Sequence, residues 1–395
     1  MFLLLHCVSV LFCASTAHAS GLNILFYGGN GFIGSSTVEH ILQSFPDASI
    51  TLVSRLNWVW DSEERIKPRI ARAIFCDRED TSDDCTELQE FVAGQERFDF
   101  VIDFSAYNAK EMETSIKLLK NKVGVYIFMS TDSVYDACGV PYTGEKHKEE
   151  ACIVPKHQLE EDAEVDYGEG KIQAEKVLID QKQQENGFDY IILRCPETFG
   201  PRDSTDRFWT LQLWEKIANE MESQILIPPY LHERPLSFVF VKDIAAMVTR
   251  ILDFTPESLS KTLNQVYNLA FKETPTYDRF LLYIDEVLDV NNEHVIGEDD
   301  DEIHLYPSVD CGPINVDKAV ELLGWSTTTF EEAVQETVMF NEMAMHDENF
   351  SGYRDSVIMD LCENSYEEAE YRCYETIEQM YDLDLGHLYS EHDEL

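Results

Sequence analysis

The chain has 395 residues, 44% hydrophobic and 27% charged, a globular composition long enough for two domains or one large α/β domain with an appendage. Its 30 Lys and Arg against 75 Asp and Glu leave a formal net charge of −45; such a surface repels phosphate backbones and anionic lipid, so no nucleic-acid partner is expected. No internal apolar run approaches the roughly 18 residues of a membrane span, and the composition excludes collagen, coiled coil and wholesale disorder.

Residues 1–19 contain no Asp, Glu, Lys or Arg, carry Phe2-Leu3-Leu4-Leu5 and end in the A-x-A pattern Ala17-His18-Ala19. They read as a secretory signal peptide rather than an anchor, because the apolar stretch is short and a strand follows at once. From Ser20 onward, short apolar runs alternate with helical segments. Strands are expected at 22–27, 49–54, 70–76, 98–104, 125–130 and 190–194. Helices are expected at 35–44, 83–93, 110–120 and 171–184. This alternation predicts an α/β fold, a Rossmann-type doubly wound parallel sheet over 20–195. The polar stretch 136–166, with its acidic run at 159–164, reads as a lid or surface loop.

Residues 196–340 read as a smaller, mainly substrate-binding part whose late strands return to the sheet. It holds helices at 209–221, 276–288, 318–323 and 330–340, a strand running into a helix at 239–252, a strand at 266–269 and an acidic turn at 298–302. Residues 341–395 form an acidic tail. Its apolar stripe at Ile358, Cys362, Ala369, Cys373, Ile377 and Met380 has helical period, so the tail is expected to dock on the body. The last four residues, His392-Asp393-Glu394-Leu395, match the retrieval signal read by an endoplasmic reticulum receptor. Together with the leader they predict a resident of the reticulum lumen. Asn349-Phe350-Ser351 is a glycosylation sequon that compartment would allow.

Of the 10 cysteines, Cys7 and Cys13 lie in the leader. Cys76 with Cys85, and Cys138 with Cys152, are each placed to close a loop. Cys362 and Cys373 fall on one expected helix, roughly 16 Å apart, too far to bridge. Most of the remaining cysteines are expected to be buried thiols, and no metal site is expected.

Gly28, Gly31 and Gly34 follow the first strand and open a helix. That arrangement gives a tight turn, a close backbone approach and a helix N-terminus for a pyrophosphate. Phe32 and Ile33 in the turn, and Phe104, Ser105 and Ala106 after the fourth strand, are expected in the same dinucleotide crevice. The second strand ends at Ser54-Arg55, about twenty residues beyond the last glycine, where a carboxylate would hold NAD ribose hydroxyls. An arginine suits a 2′-phosphate, so NADP is favoured over NAD.

The fifth strand closes on Ser130-Thr131-Asp132-Ser133-Val134-Tyr135, and Tyr167-Gly168-Glu169-Gly170-Lys171 follows, with Glu175 a turn later. Tyr and Lys at i, i+4 share a helix face. A neighbouring ammonium stabilises phenolate and so prepares a tyrosine for acid/base work. Thr131, Tyr167 and Lys171 are the expected catalytic residues. Tyr167 and Lys171 would also touch the cofactor.

With these motifs in this order, the chain resembles the extended short-chain dehydrogenase/reductases, the NAD-dependent epimerase/dehydratase group, over about residues 21–340. Further marks are Asp77 after the third strand, Arg194 with Phe199-Gly200-Pro201-Arg202-Asp203, Val241-Lys242-Asp243, Tyr267-Asn268-Leu269, and Lys318-Ala319 with Leu323-Gly324-Trp325. The resemblance implies hydride transfer on a hydroxyl or carbonyl substrate, sugar-like in most members. It also implies Asp77 near the adenine, and a homodimer.

Departures from the pattern bear on substrate. Glu197 stands where members acting on nucleotide sugars place Asn, and Leu236 stands where they place Arg. Asp132 and Ser133 follow Thr131, so the T-D-E of the sugar dehydratases is absent; Asp132, Ser133 and Glu197 are the expected substrate-facing residues. The Y-G-x-G-K form is also similar to an atypical branch containing chloroplast stem-loop binding proteins, whose RNA binding does not suit this charge. The leading expectation is a luminal NAD(P)-dependent reductase or epimerase. The alternative is a catalytically silent dinucleotide-binding or acidic calcium-buffering protein, although no EF-hand loop is present.

Overall fold

The apolar runs that alternate in the sequence build one parallel sheet, seen in a computed structural model that describes residues 21–79, 85–152, 166–297, 311–366 and 369–389. The leader, the acidic run at 159–164, the turn at 298–302 and residues 392–395 lie outside the described residues. Strands β1 (Asn23–Tyr27), β2 (Ser49–Ser54), β3 (Arg72–Phe75), β4 (Phe98–Asp103), β5 (Val123–Thr131) and β6 (Asp189–Cys195) come first. Short strands β7 (Glu197–Phe199), β8 (Ile225–Ile227) and β9 (Phe238–Phe240) follow, then β10 (Gln265–Asn268) and β11 (His294–Ile296). The central sheet runs β10-β6-β5-β4-β1-β2-β3, with β10 returning from the second part of the chain. β7 pairs with β9, and β8 with β11.

Helices cover both faces, so Ile24, Ile102 and Ile127 on one face and Leu25, Val101 and Phe128 on the other are all wholly buried. Burial on both sides is why these strands read as unbroken apolar runs rather than alternating ones. Strand order reverses at β1, whose partners are β2 on one side and β4 on the other. Tyr27 there lies in register with Val53 and Asp103. Ligands of open α/β sheets bind outside the carboxyl ends of the strands at such a point.

Helix Tyr167–Gln181 starts four residues before its expected N-terminus. Its two early glycines lower helix propensity, which hides the start. Packing explains one of them: a Cβ on Gly168 would stand 2.4 Å from the Ser133 carbonyl oxygen. Only Asp136–Cys152 of the expected lid is described in its first half, and that half is pinned. His147 bridges Ile314, and Cys138 is bonded to Cys152.

The tail packs as expected, but its cysteines correct the sequence reading. Residues 351–381 form two helices, Ser351–Ser365 and Glu370–Tyr381, rather than one. Between them the Ala369 N–H donates to the Tyr366 carbonyl oxygen at 2.7 Å, and Cys362 of the first helix and Cys373 of the second lie at a Cα separation of 5.6 Å in a disulfide. With Cys76–Cys85 and Cys138–Cys152, most described cysteines are therefore paired; Cys195 and Cys311 are buried thiols. Ile358 and Ile377 are wholly buried in the core that also holds Trp209 and Phe280. Helix Phe330–Met345 runs through the expected boundary at residue 340.

At the head of that core, Trp60 from the loop after β2 stacks on Tyr353 of the tail (centroids 4.3 Å, interplanar 3°) and on Trp209 (5.7 Å). Its backbone N–H donates to the Tyr353 hydroxyl at 2.7 Å. Among the described residues, no helix is long and apolar enough to cross a membrane.

Candidate active site

Two adjoining cavities open over the carboxyl ends of the sheet strands. The first, of about 500 Å³, is lined by Gly28, Gly31, Phe32, Ile33 and Gly34, by Ser54 and Arg55, and by Asp77, Phe104 and Ser105. Each glycine of the turn has its own reason. Gly28 sits at φ +75°, in the left-handed region. A Cβ on Gly34 would stand 2.1 Å from the Gly28 carbonyl oxygen, so it permits close helix–strand packing. A Cβ on Gly31 would meet nothing nearer than 3.7 Å and would instead fill the cavity. Helix Phe32–Ser44 opens there with no side-chain cap and no acid in its first turn. Its free N–H groups and dipole suit a phosphate, so the residues present fit a dinucleotide.

At the other end of this cavity Arg55 and Glu79 form a pair at 3.8 Å, both more than half exposed. Asp77 accepts the Glu79 backbone N–H at 3.0 Å. Arg78 points inward instead. It binds Asp103 at 2.9 and 3.0 Å, the Ser115 hydroxyl and the Glu111 carbonyl oxygen, and lies 4.7 Å over the Tyr27 ring. Asp103 also accepts the N–H groups of Ser105 and Ala106, each at 2.9 Å, and the Tyr126 hydroxyl at 2.5 Å. Burial opposes its ionisation, but Arg78 and these hydrogen bonds win, and its carboxyl lies below the usual range.

The second cavity, of about 410 Å³, holds Thr131, Asp132, Ser133, Tyr167, Lys171 and Glu197 in its wall. All expected catalytic and substrate-facing residues thus meet in one place. Phe32, Ile33, Phe104, Tyr107, Met129 and Tyr167 border both cavities. Ala106 borders neither; it is wholly buried and contributes its carbonyl oxygen, which accepts from Lys171 Nζ at 2.9 Å. Lys171 also donates to the Met129 carbonyl oxygen at 3.0 Å and lies 5.9 Å from the Tyr167 ring centroid. Burial lowers its pKa to about 8.

Tyr167 is 49% exposed, but toward the cleft, where protein walls still crowd the phenol. Its pKa lies above the ordinary value: burial raises it first, Tyr107 adds to this, and a hydrogen bond with Thr131 opposes it. The sequence reading had a neighbouring amine lowering it. Lys171 instead spends its donors on two backbone carbonyls.

Two acids in the second cavity are held toward their neutral forms. Burial, then repulsion from Glu197 and Asp136, raises Asp132 well above the carboxylate range. Burial raises Glu197 to about 7, against the pull of Arg207, whose Nη1 is 2.9 Å from Glu197 Oε2. Glu197 Oε1 is buried without a hydrogen-bond partner. Sequence reasoning missed Arg207 and Tyr107. Arg207 lies ten residues past Glu197 on a different element, with no motif to mark it. Tyr107 follows directly on Phe104-Ser105-Ala106, so its place next to the crevice was the available signal.

Under this wall lies a fully buried network. Glu175, on the Tyr167 helix, takes Arg194 of β6 in a two-pronged pair, Nε to Oε1 at 2.9 Å and Nη2 to Oε2 at 2.6 Å. The Ser130 hydroxyl donates to Glu175 Oε1 at 2.5 Å. Arg194 spends its remaining donors on the carbonyl oxygens of Glu149 and Cys152, at 3.2 and 2.7 Å.

Removing one partner of such a pair strands a buried charge. Arg194→Met is therefore expected to lower the unfolding free energy by about 3–5 kcal/mol in urea titrations, with Arg194→Met/Glu175→Leu recovering part of the loss. The raised acids give stability a pH dependence. The folded chain keeps protons on Glu197 (raised to about 7) and Asp203 (raised to about 6) that the unfolded chain releases nearer their ordinary 4.5 and 3.8. Their contribution is full below those ordinary values and is lost as pH rises through about 6 to 7. Urea unfolding between pH 5 and pH 8 should show stability falling with pH, and Glu197→Gln should flatten the part near neutrality.

The comparisons agree with this geometry. The family model described as the NAD dependent epimerase/dehydratase family matches residues 24–270. No curated protein matches the chain. Among solved structures, it is similar to a UDP-glucose 4-epimerase with UDP-glucose from Thermotoga maritima (19% identity, TM-score 0.61, covering 82% of this chain and 100% of that one). It is also similar to a dTDP-glucose 4,6-dehydratase with NAD from Bacillus anthracis (21%, 0.61, 84% and 99%). A UDP-glucuronic acid 4-epimerase with NAD from Bacillus cereus is another (15%, 0.62, 82% and 99%). With a sequence match over more than half its length and a fold to suit, this chain belongs to the NAD dependent epimerase/dehydratase family and is an NAD(P)-dependent enzyme of that kind.

Proposed function

We propose that the chain is a reductase or epimerase that binds NAD(P) along the glycine turn and acts on a hydroxyl or carbonyl of a sugar-like substrate. The observation that carries this reading is the shared border. Tyr167 lines both cavities, so a molecule in the second lies against whatever fills the first. The bound dinucleotide supplies the hydride acceptor or donor. Gly28, Gly31, Gly34, Phe32 and Ile33 hold its phosphates, with Asp77 toward the adenine. Tyr167 moves a proton at its phenol oxygen, and the Thr131 hydroxyl binds the same substrate oxygen. Lys171 ties the turn after β4 to β5 and keeps positive charge beside the Tyr167 ring.

NADP is proposed over NAD. β2 ends without a carboxylate, and the Arg55–Glu79 pair is exposed and therefore weak, so Arg55 can exchange it for a 2′-phosphate. The substrate is proposed to lack a nucleoside diphosphate. Among the described residues, the cations of the second cavity, Lys171 and Arg207, are already engaged, while Asp132 and Glu197 face it as acids. With its pKa raised to about 7, Glu197 can donate a hydrogen bond to a sugar hydroxyl when protonated and, when ionised, pairs with Arg207 and repels phosphate.

Calorimetry with NAD and NADP tests the reading. Gly31→Arg should abolish binding, and Arg55→Ala should weaken NADP about tenfold while sparing NAD, a loss of roughly one charge-assisted hydrogen bond. Tyr167→Phe should keep binding and lower turnover about 10²–10⁴-fold on the small molecule that mass spectrometry finds copurifying. Absence of dinucleotide binding at millimolar concentration overturns the assignment.

The proposed workplace is the endoplasmic reticulum lumen. The leader-like 1–19, the 392–395 motif and three disulfides, which suit an oxidising compartment, support it. Deleting 392–395 should move the protein into the medium of expressing cells; retention inside after that deletion counts against the retrieval motif.

A further inference from the structure

Away from both cavities, three elements of the second part bury ionisable groups against one another. Glu215 sits near the end of helix Arg207–Ile217 and is 0% exposed. Asp285 lies on helix Tyr277–Leu288 and is buried, and His294 opens β11. His294 Nε2 stands 3.2 Å from Glu215 Oε1 and 3.4 Å from Asp285 Oδ2. One donor atom from each of the three residues falls within 4.8 Å of the others.

Asn292 holds the outer oxygens. Its Nδ2 donates to Glu215 Oε2 at 2.7 Å, to the Glu215 carbonyl oxygen at 2.8 Å and to Asp285 Oδ1 at 3.2 Å. That leaves Glu215 Oε1 turned toward the imidazole, sealed from solvent and accepting no hydrogen bond. Asn292 Oδ1 is likewise buried without a donor. Among the described residues, no Lys or Arg comes within 4 Å of either carboxylate; Lys216, next in the chain, pairs with Glu342 at 3.4 Å instead.

Buried carboxylates are costly without a cation. Among the described residues only a protonated His294 answers these: its Nε2 also lies 3.3 Å from Glu215 Oε2, and against the effect of burial Glu215 and Asp285 raise its pKa. A divalent ion would take the place of that single proton. Two carboxylates and a neutral imidazole sum to zero with a divalent ion. Tetrahedral coordination at about 2.0–2.2 Å also sets ligand atoms roughly 3.3–3.5 Å apart, close to the spacing seen around His294 Nε2. We propose that Glu215, Asp285 and His294 form a site for a divalent transition cation of the zinc type, with Oε1, Oδ2 and Nε2 as ligands. Calcium does not suit it, because it needs six to eight oxygens. The ion would tie β11 and helix Tyr277–Leu288 to helix Arg207–Ile217, whose first residue pairs with Glu197 in the second cavity.

The test uses the tag-free full chain, stripped with EDTA and titrated with Zn²⁺ by calorimetry and thermal melting. The expected result is one ion per chain and a Tm rise of about 3 °C at a hundredfold excess over Kd. Millimolar Ca²⁺ should produce neither. Co²⁺ should give tetrahedral d–d bands without thiolate charge transfer, which separates this site from the buried Cys195 and Cys311. His294→Ala and Asp285→Asn should each lose the binding. Failure of the unaltered chain to bind Zn²⁺, binding that survives either substitution, or a cobalt spectrum carrying thiolate bands overturns the proposal.

Discussion

A carboxylate and a guanidinium sealed from water hold the wall of the second cavity together. Glu175 and Arg194 are each about 1% exposed, so neither charge is screened by solvent. Taking both out of water costs several kcal/mol apiece, and their attraction offsets this only when geometry is good and the remaining donors and acceptors are satisfied. Here they are. Both carboxylate oxygens are used, Ser130 adds a donor, and Arg194 reaches two carbonyl oxygens of the Glu149–Cys152 segment. One interaction therefore fixes the Tyr167 helix, the ends of β5 and β6 and the start of the long loop. The relative positions of Thr131 and Tyr167 depend on it.

A second buried pair shapes the neighbouring half of the cleft. Asp103 at the end of β4 gathers Arg78, Tyr126 and two backbone N–H groups, which folds the chain at 104–106 into a tight turn. That turn aims the Ala106 carbonyl oxygen at Lys171 and carries Tyr107 to the border of both cavities. The dinucleotide side and the Tyr167 side thus share a floor, through a chain of contacts from Arg78 to Lys171.

Much of this was legible in the sequence because it rests on local rules. Strands buried on two faces must be apolar throughout, so β1 to β6 stand out as runs. The glycine turn is written in residues that no other type can replace. Elements of three residues, such as β7, β8 and β11, leave no periodic trace. Neither does Arg207, whose meaning comes from facing Glu197 across space. The tail misled for a definite reason: no glycine or proline lies between Cys362 and Cys373, so nothing local announces the break that brings them together. Glu215, Asp285 and His294 are 70 and 9 residues apart, a spacing no motif contains.

The stack at Trp60 has a mechanical consequence. It joins a loop leaving β2, a helix of the second part and the tail through Trp209, Phe340, Phe350 and Tyr353, all within 4.3–5.7 Å centroid to centroid. The tail thus rests on the loop that leaves β2 as well as on helix Arg207–Ile217, and stacked rings of this kind couple the three elements, so a change at Trp60 would loosen the tail and that loop together.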